Sequence, residues 1–242
     1  TLKNGSLVLL IDEYDSPLTF CLDQEELFAA VKELLSNFYA MLSANERVLR
    51  FVFITGIIRF NEVCLSSELV RFTDISSDPR YGSLVGFTQD EVEGNFETYL
   101  EEAAKDLSIS RNDLMKQLVA QYGGYCFEET GSTKVLAPWS LLNFLAYPSR
   151  DFQAYWFESG GSASLLKWLK TKAVKGPEEF SQEKRISRSE RLGASGSLSD
   201  IALLTQAGYL TIKAPESGRT FLLDYPNLEV RRSMACLLYT SD

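Results

Sequence analysis

The chain has 242 residues, 45% hydrophobic and 24% charged, with a formal net charge of −9 at pH 7; it can bury a core, its length suggests about two units, and its acidity argues against a broad phosphate-binding surface. No apolar run reaches the roughly 18 residues of a membrane span. Four dispersed cysteines, none in a Cys-x-x-Cys pair, and the lack of any histidine argue against structural zinc and Ser-His or Cys-His catalysis, so chemistry must rest on carboxylates, hydroxyls, cations and a bound metal.

Residues 7–11, Leu-Val-Leu-Leu-Ile, end abruptly in Asp12 and Glu13, with Asp15 and Pro17 close behind. Such a run suits a strand buried on both faces of a parallel sheet, and acids at its carboxyl end lie where α/β proteins bind ligands. By the template of P-loop NTPases, Asp12 takes the Walker B place on the Mg²⁺ side and Glu13 polarises the attacking water. The alternative is that Asp12 or Asp15 bonds local amides in a turn leading to Pro17.

Asp23 and Glu26 have capping-box spacing, and Leu27, Phe28, Val31, Leu34, Leu35, Phe38, Tyr39 and Leu42 follow at helical intervals. Residues 48–54 read as a second strand, ending at Thr55-Gly56. A right-handed βαβ crossover brings both strand ends to one sheet edge. There Thr55 can donate to a phosphate oxygen or the attacking water, or it can merely bond the Gly56 turn. Arg59 and Arg71 are the nearest cations downstream that could meet phosphate charge.

Farther on, 69–75 predicts a short strand, and Thr88 with Glu91 a capping box before an acidic helix through Glu93, Glu97, Glu101 and Glu102. Those acids read as a solvated face. A helix over 110–122 stops at Gly123-Gly124, a short hairpin surrounds Gly131, and a helix covers 140–147. Phe152, Tyr155, Trp156 and Phe157 read as core, since a base-stacking platform needs more cations than Arg150. From Lys167 to Arg191, eight Lys or Arg face four Glu, which suggests an exposed linker. A helix over 198–207 then precedes a hairpin of 209–213 with 219–224, turning through Pro215–Gly218. The helix carries no Lys or Arg in 200–206, so packing within the chain suits it better than DNA.

Eight segments in order resemble the bacterial predicted AAA-ATPase-like family: Leu10-Ile-Asp-Glu-Tyr-Asp-Ser-Pro-Leu18, Phe53-Ile-Thr-Gly56, Phe72-Thr-Asp-Ile-Ser-Ser-Asp-Pro79, Leu84-Val-Gly-Phe-Thr88, Gly123-Gly-Tyr-Cys-Phe127, Tyr155-Trp-Phe-Glu-Ser-Gly160, Gln206-Ala-Gly-Tyr-Leu-Thr211 and Tyr225-Pro-Asn-Leu-Glu-Val230. The resemblance implies an α/β fold with a P-loop NTPase core, a helical lid and a small downstream domain, placed here as a partial sheet over 1–86 and a lid over 87–172; the polar stretch then reads as a linker over 173–198, and the helix followed by a ribbon as a winged-helix-like α+β unit over 199–235. It also implies ATP and Mg²⁺ as cofactors, with Asp12 on the metal and Glu13 and Thr55 at the hydrolytic centre; Arg59, as a nearby cation, is the residue expected to meet the nucleotide. In this family a PD-(D/E)XK nuclease-like domain is often fused downstream.

No Gly-Lys dipeptide occurs in the chain, so the amide-and-lysine phosphate cradle of a P-loop is missing. We therefore expect a fragment of a longer ATPase, inactive alone, with residues 236–242 a non-native tail or an ordinary apolar helix end. Two alternatives stay open: a non-catalytic interaction module, and an accessory domain positioning a fused nuclease-like domain. The expected partners are nucleotide and a protein partner or a second copy, with nucleic acid only through a fused domain; the expected setting is cytoplasmic, with reduced thiols.

Overall fold

Two apolar runs and an amphipathic helix build the first unit of the chain, whose computed structural model describes residues 3–22, 24–59, 72–147, 151–156, 184–191, 199–217 and 219–239. β1 (Leu7–Ile11) and β2 (Leu49–Ile54) pair in parallel, with Val8 opposite Phe51 and Ile11 opposite Ile54. The crossover runs through α1 (Ser16–Phe20) and α2 (Glu25–Ala44). Phe28, Val31, Leu35, Tyr39 and Leu42 recur every three or four positions along α2 and close over Ile11, Leu18 and Ile54. The residue before this helix is Gln24, which makes no side-chain cap bond, while Glu25 and Glu26 complement the helix dipole in its first turn. Asp23, expected as the cap, lies outside the described residues.

One expectation for β1 fails. Among the described residues only one face of the strand pair is covered, because the sheet has two strands and α2 packs on one side alone. On the other side Val8 and Phe51 are exposed, Leu10 is 68% exposed, and Phe51 and Phe53 stack with ring centroids 6.3 Å apart. The outer side of α2 is apolar too, with Leu27, Leu34, Phe38 and Met41 exposed.

Residues 72–75 carry no strand; of the segment expected to form one, 69–71 lie outside the described residues. The helical unit comprises α3 (Gln89–Asn95), α4 (Glu97–Asp106), α5 (Arg111–Tyr122) and α6 (Pro138–Ala146). The Thr88–Glu91 capping box forms as predicted. The acidic segment becomes two helices, because the chain breaks at Phe96, whose ring meets that of Phe87 edge-on at 5.4 Å. Leu100, Leu114, Leu118, Tyr122, Leu141 and Phe144 fill the core between these helices. Phe152 and Tyr155 pack around Tyr122, as a core role for the aromatic cluster requires; Phe157 lies outside the described residues. Beyond α5, Gly124 adopts φ +81°, and a Cβ there would meet the Pro226 carbonyl oxygen at 2.3 Å.

The third unit contains β3 (Lys184–Ser187), α7 (Arg188–Arg191), α8 (Asp200–Gln206), β4 (Thr211–Glu216), β5 (Thr220–Asp224) and α9 (Leu228–Tyr239). Its strands form an antiparallel sheet in the order β3-β5-β4. Part of the segment read as an exposed linker is therefore structural. Ile186 is buried in the core, and the Arg191 guanidinium lies 5.4 Å from the Phe221 ring centroid. Charged side chains flank the two buried positions, so the average polarity hid them. Pro215 falls within β4 rather than in the turn, which an edge strand tolerates. The helix α9 continues through Tyr239.

Ile58, from the loop after β2, is buried in the core of this third unit with Leu204, Tyr209, Ile212, Phe221, Leu223 and Val230. The segment after β5 binds the helical unit. Asn227 Nδ2 donates to the Gly123 carbonyl at 2.9 Å, and the buried Glu229 carboxylate accepts from Ser140 Oγ at 2.8 and 3.0 Å and from the Trp156 amide at 2.8 Å. Several of the eight resembling segments thus meet at the junction between units.

Candidate functional site

Parallel pairing in register sets the site. Ile11 and Ile54 are the last paired residues, so one step further Asp12 and Thr55 lie side by side. The ladder continues there through the Thr55 amide to the Ile11 carbonyl at 2.8 Å and the Tyr14 amide to the Thr55 carbonyl at 3.0 Å. Thr55 Oγ1 donates to Asp12 Oδ1, which also accepts the Glu13 amide at 3.1 Å. Both bonds converge on one carboxylate oxygen. Among the described residues, no donor reaches Asp12 Oδ2.

Glu13 sits at φ 51°, an uncommon conformation for a residue with a side chain, and is exposed. Among the described residues nothing bonds its carboxylate. Asp12, Glu13 and Thr55 are therefore brought to one edge, with two carboxylates open to solvent and a hydroxyl between strand ends.

Arg59 is directed elsewhere. Its Nη1 lies 2.6 Å from Asp74 Oδ2, and its amide donates to Gln206 Oε1 at 2.8 Å. Burial works against ionisation of Asp74, but bonds from Ser76 and the charges of Arg59 and Arg191 outweigh it and hold its carboxyl below the ordinary value. Arg71 lies outside the described residues.

Asp15 was read from sequence only as a turn residue, yet it is the buried acid of the site, 1% exposed. Although it precedes α1, its side chain does not cap that helix. Instead Oδ1 accepts the Ile57 amide at 3.0 Å and Oδ2 the Ile58 amide at 2.7 Å. Gly56 immediately precedes these two amides; a Cβ on it would come within 2.5 Å of the Tyr14 ring and 2.6 Å of Asp15 Oδ1. Gln206 was equally missed as a contact residue, though it opens one of the eight resembling segments. No local pattern reports a bond across 147 residues of chain.

A shallow cleft lined by Arg188, Pro215, Glu216, Arg219 and Phe221 of the third unit and by Glu129 shares no residue with the strand ends. Its Arg188 pairs with Glu129 at 2.7 Å, and its Glu216 with Arg185 at 2.8 Å, so it presents mixed charge rather than a basic groove. Among the described residues no group of three or more His, Cys, Asp or Glu could hold a metal ion, and no helix is long and apolar enough to cross a membrane.

The fold and site define a mixed α/β protein with a parallel strand pair and an acid-acid-hydroxyl set at its carboxyl edge. Residues 2–66 match the model of the AAA-ATPase-like family, described as predicted AAA-ATPases, a family that implies nucleotide and Mg²⁺. The chain is also 33% identical over 233 residues to an uncharacterized protein encoded in the vnfD 5' region of Azotobacter chroococcum mcd 1, covering 94% of this chain and 42% of that protein. It thus spans less than half the length of this relative. No solved structure matches.

Proposed function

We propose that this chain carries the acid-and-hydroxyl half of an ATP-hydrolysing site of the AAA-like kind. The observation that carries the reading is the Thr55–Asp12 hydrogen bond across two parallel strand ends, with Glu13 exposed beside it. Glu13 would accept a proton from the attacking water as the bond from the γ-phosphorus to its bridging oxygen breaks, and Thr55 would orient that water or a phosphate oxygen.

The donor set fits Mg²⁺. This cation is commonly held by one or two carboxylates together with substrate phosphates, and Asp12 offers one open carboxylate oxygen beside a hydroxyl. When bound, the ion would neutralise phosphate charge. An all-protein cage is not required for that mode of binding. For Arg59 to meet a phosphate it would have to leave Asp74.

In this reading the phosphate cradle comes from polypeptide packed on the bare face of Val8, Leu10, Phe51 and Phe53, since exposed apolar surface of this kind marks a missing partner. The helical unit would act as lid, and the third unit as a winged-helix-like element. The test is ATP turnover by a longer protein containing this chain. Glu13→Gln should lower turnover by about 10²-fold or more while nucleotide binding is kept. Undiminished turnover in that variant refutes the role of Glu13, and a longer wild-type protein without turnover favours the non-catalytic interaction module.

A further inference from the structure

We infer that Asp15 is the positioning residue of this site, fixing the Thr55–Gly56 hinge against Asp12 and Glu13 and joining it rigidly to α8 of the third unit. The inference rests on the reading of Asp12, Glu13 and Thr55 as a hydrolytic set. Asp15 lies two residues beyond Glu13, and its two oxygens take the amides two and three residues beyond Thr55. One buried carboxylate therefore holds both arms of the site. The Tyr14 amide bond to the Thr55 carbonyl closes the ring from the other side.

The ring does not end there. Ile58, whose amide Asp15 holds at 2.7 Å, has its side chain in the core of the third unit. The next amide, that of Arg59, donates to Gln206 Oε1, and Gln206 Nε2 in turn donates to the Arg191 carbonyl at 2.7 Å. A displacement of Thr55 by a ligand must therefore stretch the Asp15 bonds or move Ile58 within a close-packed core. Such a core shifts between discrete arrangements rather than deforming smoothly. The five residues from Thr55 to Arg59 form a strap between the strand-end acids and α8, and the carboxylate of Asp15 sets its tension.

Amide hydrogen exchange on the full chain tests this without any turnover. Asp15→Asn keeps size and one acceptor oxygen but sets an NH2 group against a backbone N–H. It should speed exchange about tenfold at Ile57 and Ile58, and also at Tyr14 and Arg59, whose amides Asp15 does not touch. Ser140→Ala, which removes a buried hydroxyl from Glu229 in another part of the fold, serves as a control for general destabilisation and should leave those four amides unchanged. If only Ile57 and Ile58 respond to Asp15→Asn, or if Ser140→Ala gives the same pattern, the strap does not exist.

Gln206→Leu approaches from the far end and keeps the inference testable should Asp15→Asn not fold. Faster exchange at Ile57 and Ile58 is expected, and unchanged exchange there overturns the connection. These outcomes are separate from ATP turnover, so a longer protein that hydrolyses nothing would refute the hydrolytic reading while leaving the strap measurable.

Discussion

Glu128 offers a quantitative test of how the hairpin loop after the Gly123-Gly124 segment is held. Its carboxylate is fully buried and accepts from the amides of Thr130 at 2.5 Å, Ser132 at 2.7 Å and Thr133 at 2.9 Å, and from the hydroxyls of Thr130 at 2.6 Å and Ser132 at 3.3 Å. Burial by itself would push the carboxyl up, but the Thr130 hydroxyl and the three amides outweigh it and bring it down to about 2. Against an ordinary value near 4.5, that difference corresponds to about 3 kcal/mol of stability. Because the folded value is the lower one, this contribution is complete above the ordinary value and fades as pH falls from there towards 2. In denaturant unfolding, the gap between the wild type and Glu128→Gln should therefore narrow by up to about 3 kcal/mol as pH falls from 7 towards 2. Equal loss of stability between pH 5 and pH 2 in both proteins refutes the assignment of that loss to Glu128.

Two further substitutions probe other parts of the fold. Gly56→Ala forces a Cβ against the Tyr14 ring and Asp15 Oδ1; thermal or denaturant unfolding should show a loss of about 1–3 kcal/mol, with faster amide exchange at Ile57 and Ile58. Glu229 has the opposite sign to Glu128: burial raises its carboxyl above the ordinary value despite bonds from Trp156, Ser140 and Tyr155. Its unfavourable effect on stability accordingly grows as pH rises from the ordinary value to the raised one, and Glu229→Gln should abolish that part of the pH profile. A profile unchanged by the substitution would show that Glu229 is not its source.

Local periodicity was enough to read β1, β2, the inner stripe of α2, the Thr88–Glu91 box and the stop at Gly123-Gly124, because each depends on neighbours within one or two turns of chain. The adjacency of Asp12 and Thr55 was also legible, since a parallel βαβ crossover leaves few ways to arrange two strand ends. The averaged polarity of the basic segment failed where the structure is described, because a half-buried strand needs only alternate apolar positions. Ile186 supplies one, and Arg191 buries its stem while its guanidinium meets Phe221.

The amino-acid sequence determined which residues can do chemistry here: carboxylates and a hydroxyl at the ends of two apolar runs, in a chain without histidine. Tertiary structure decided what those residues touch. It turned Asp15 from a turn candidate into a buried acceptor for two distant amides, committed Arg59 to Asp74 and Gln206, and, among the described residues, left one face of the strand pair bare. The physical reason is that hydrogen bonds and ion pairs spanning 15 to 147 residues depend on where the chain returns, and no short-range preference encodes that return.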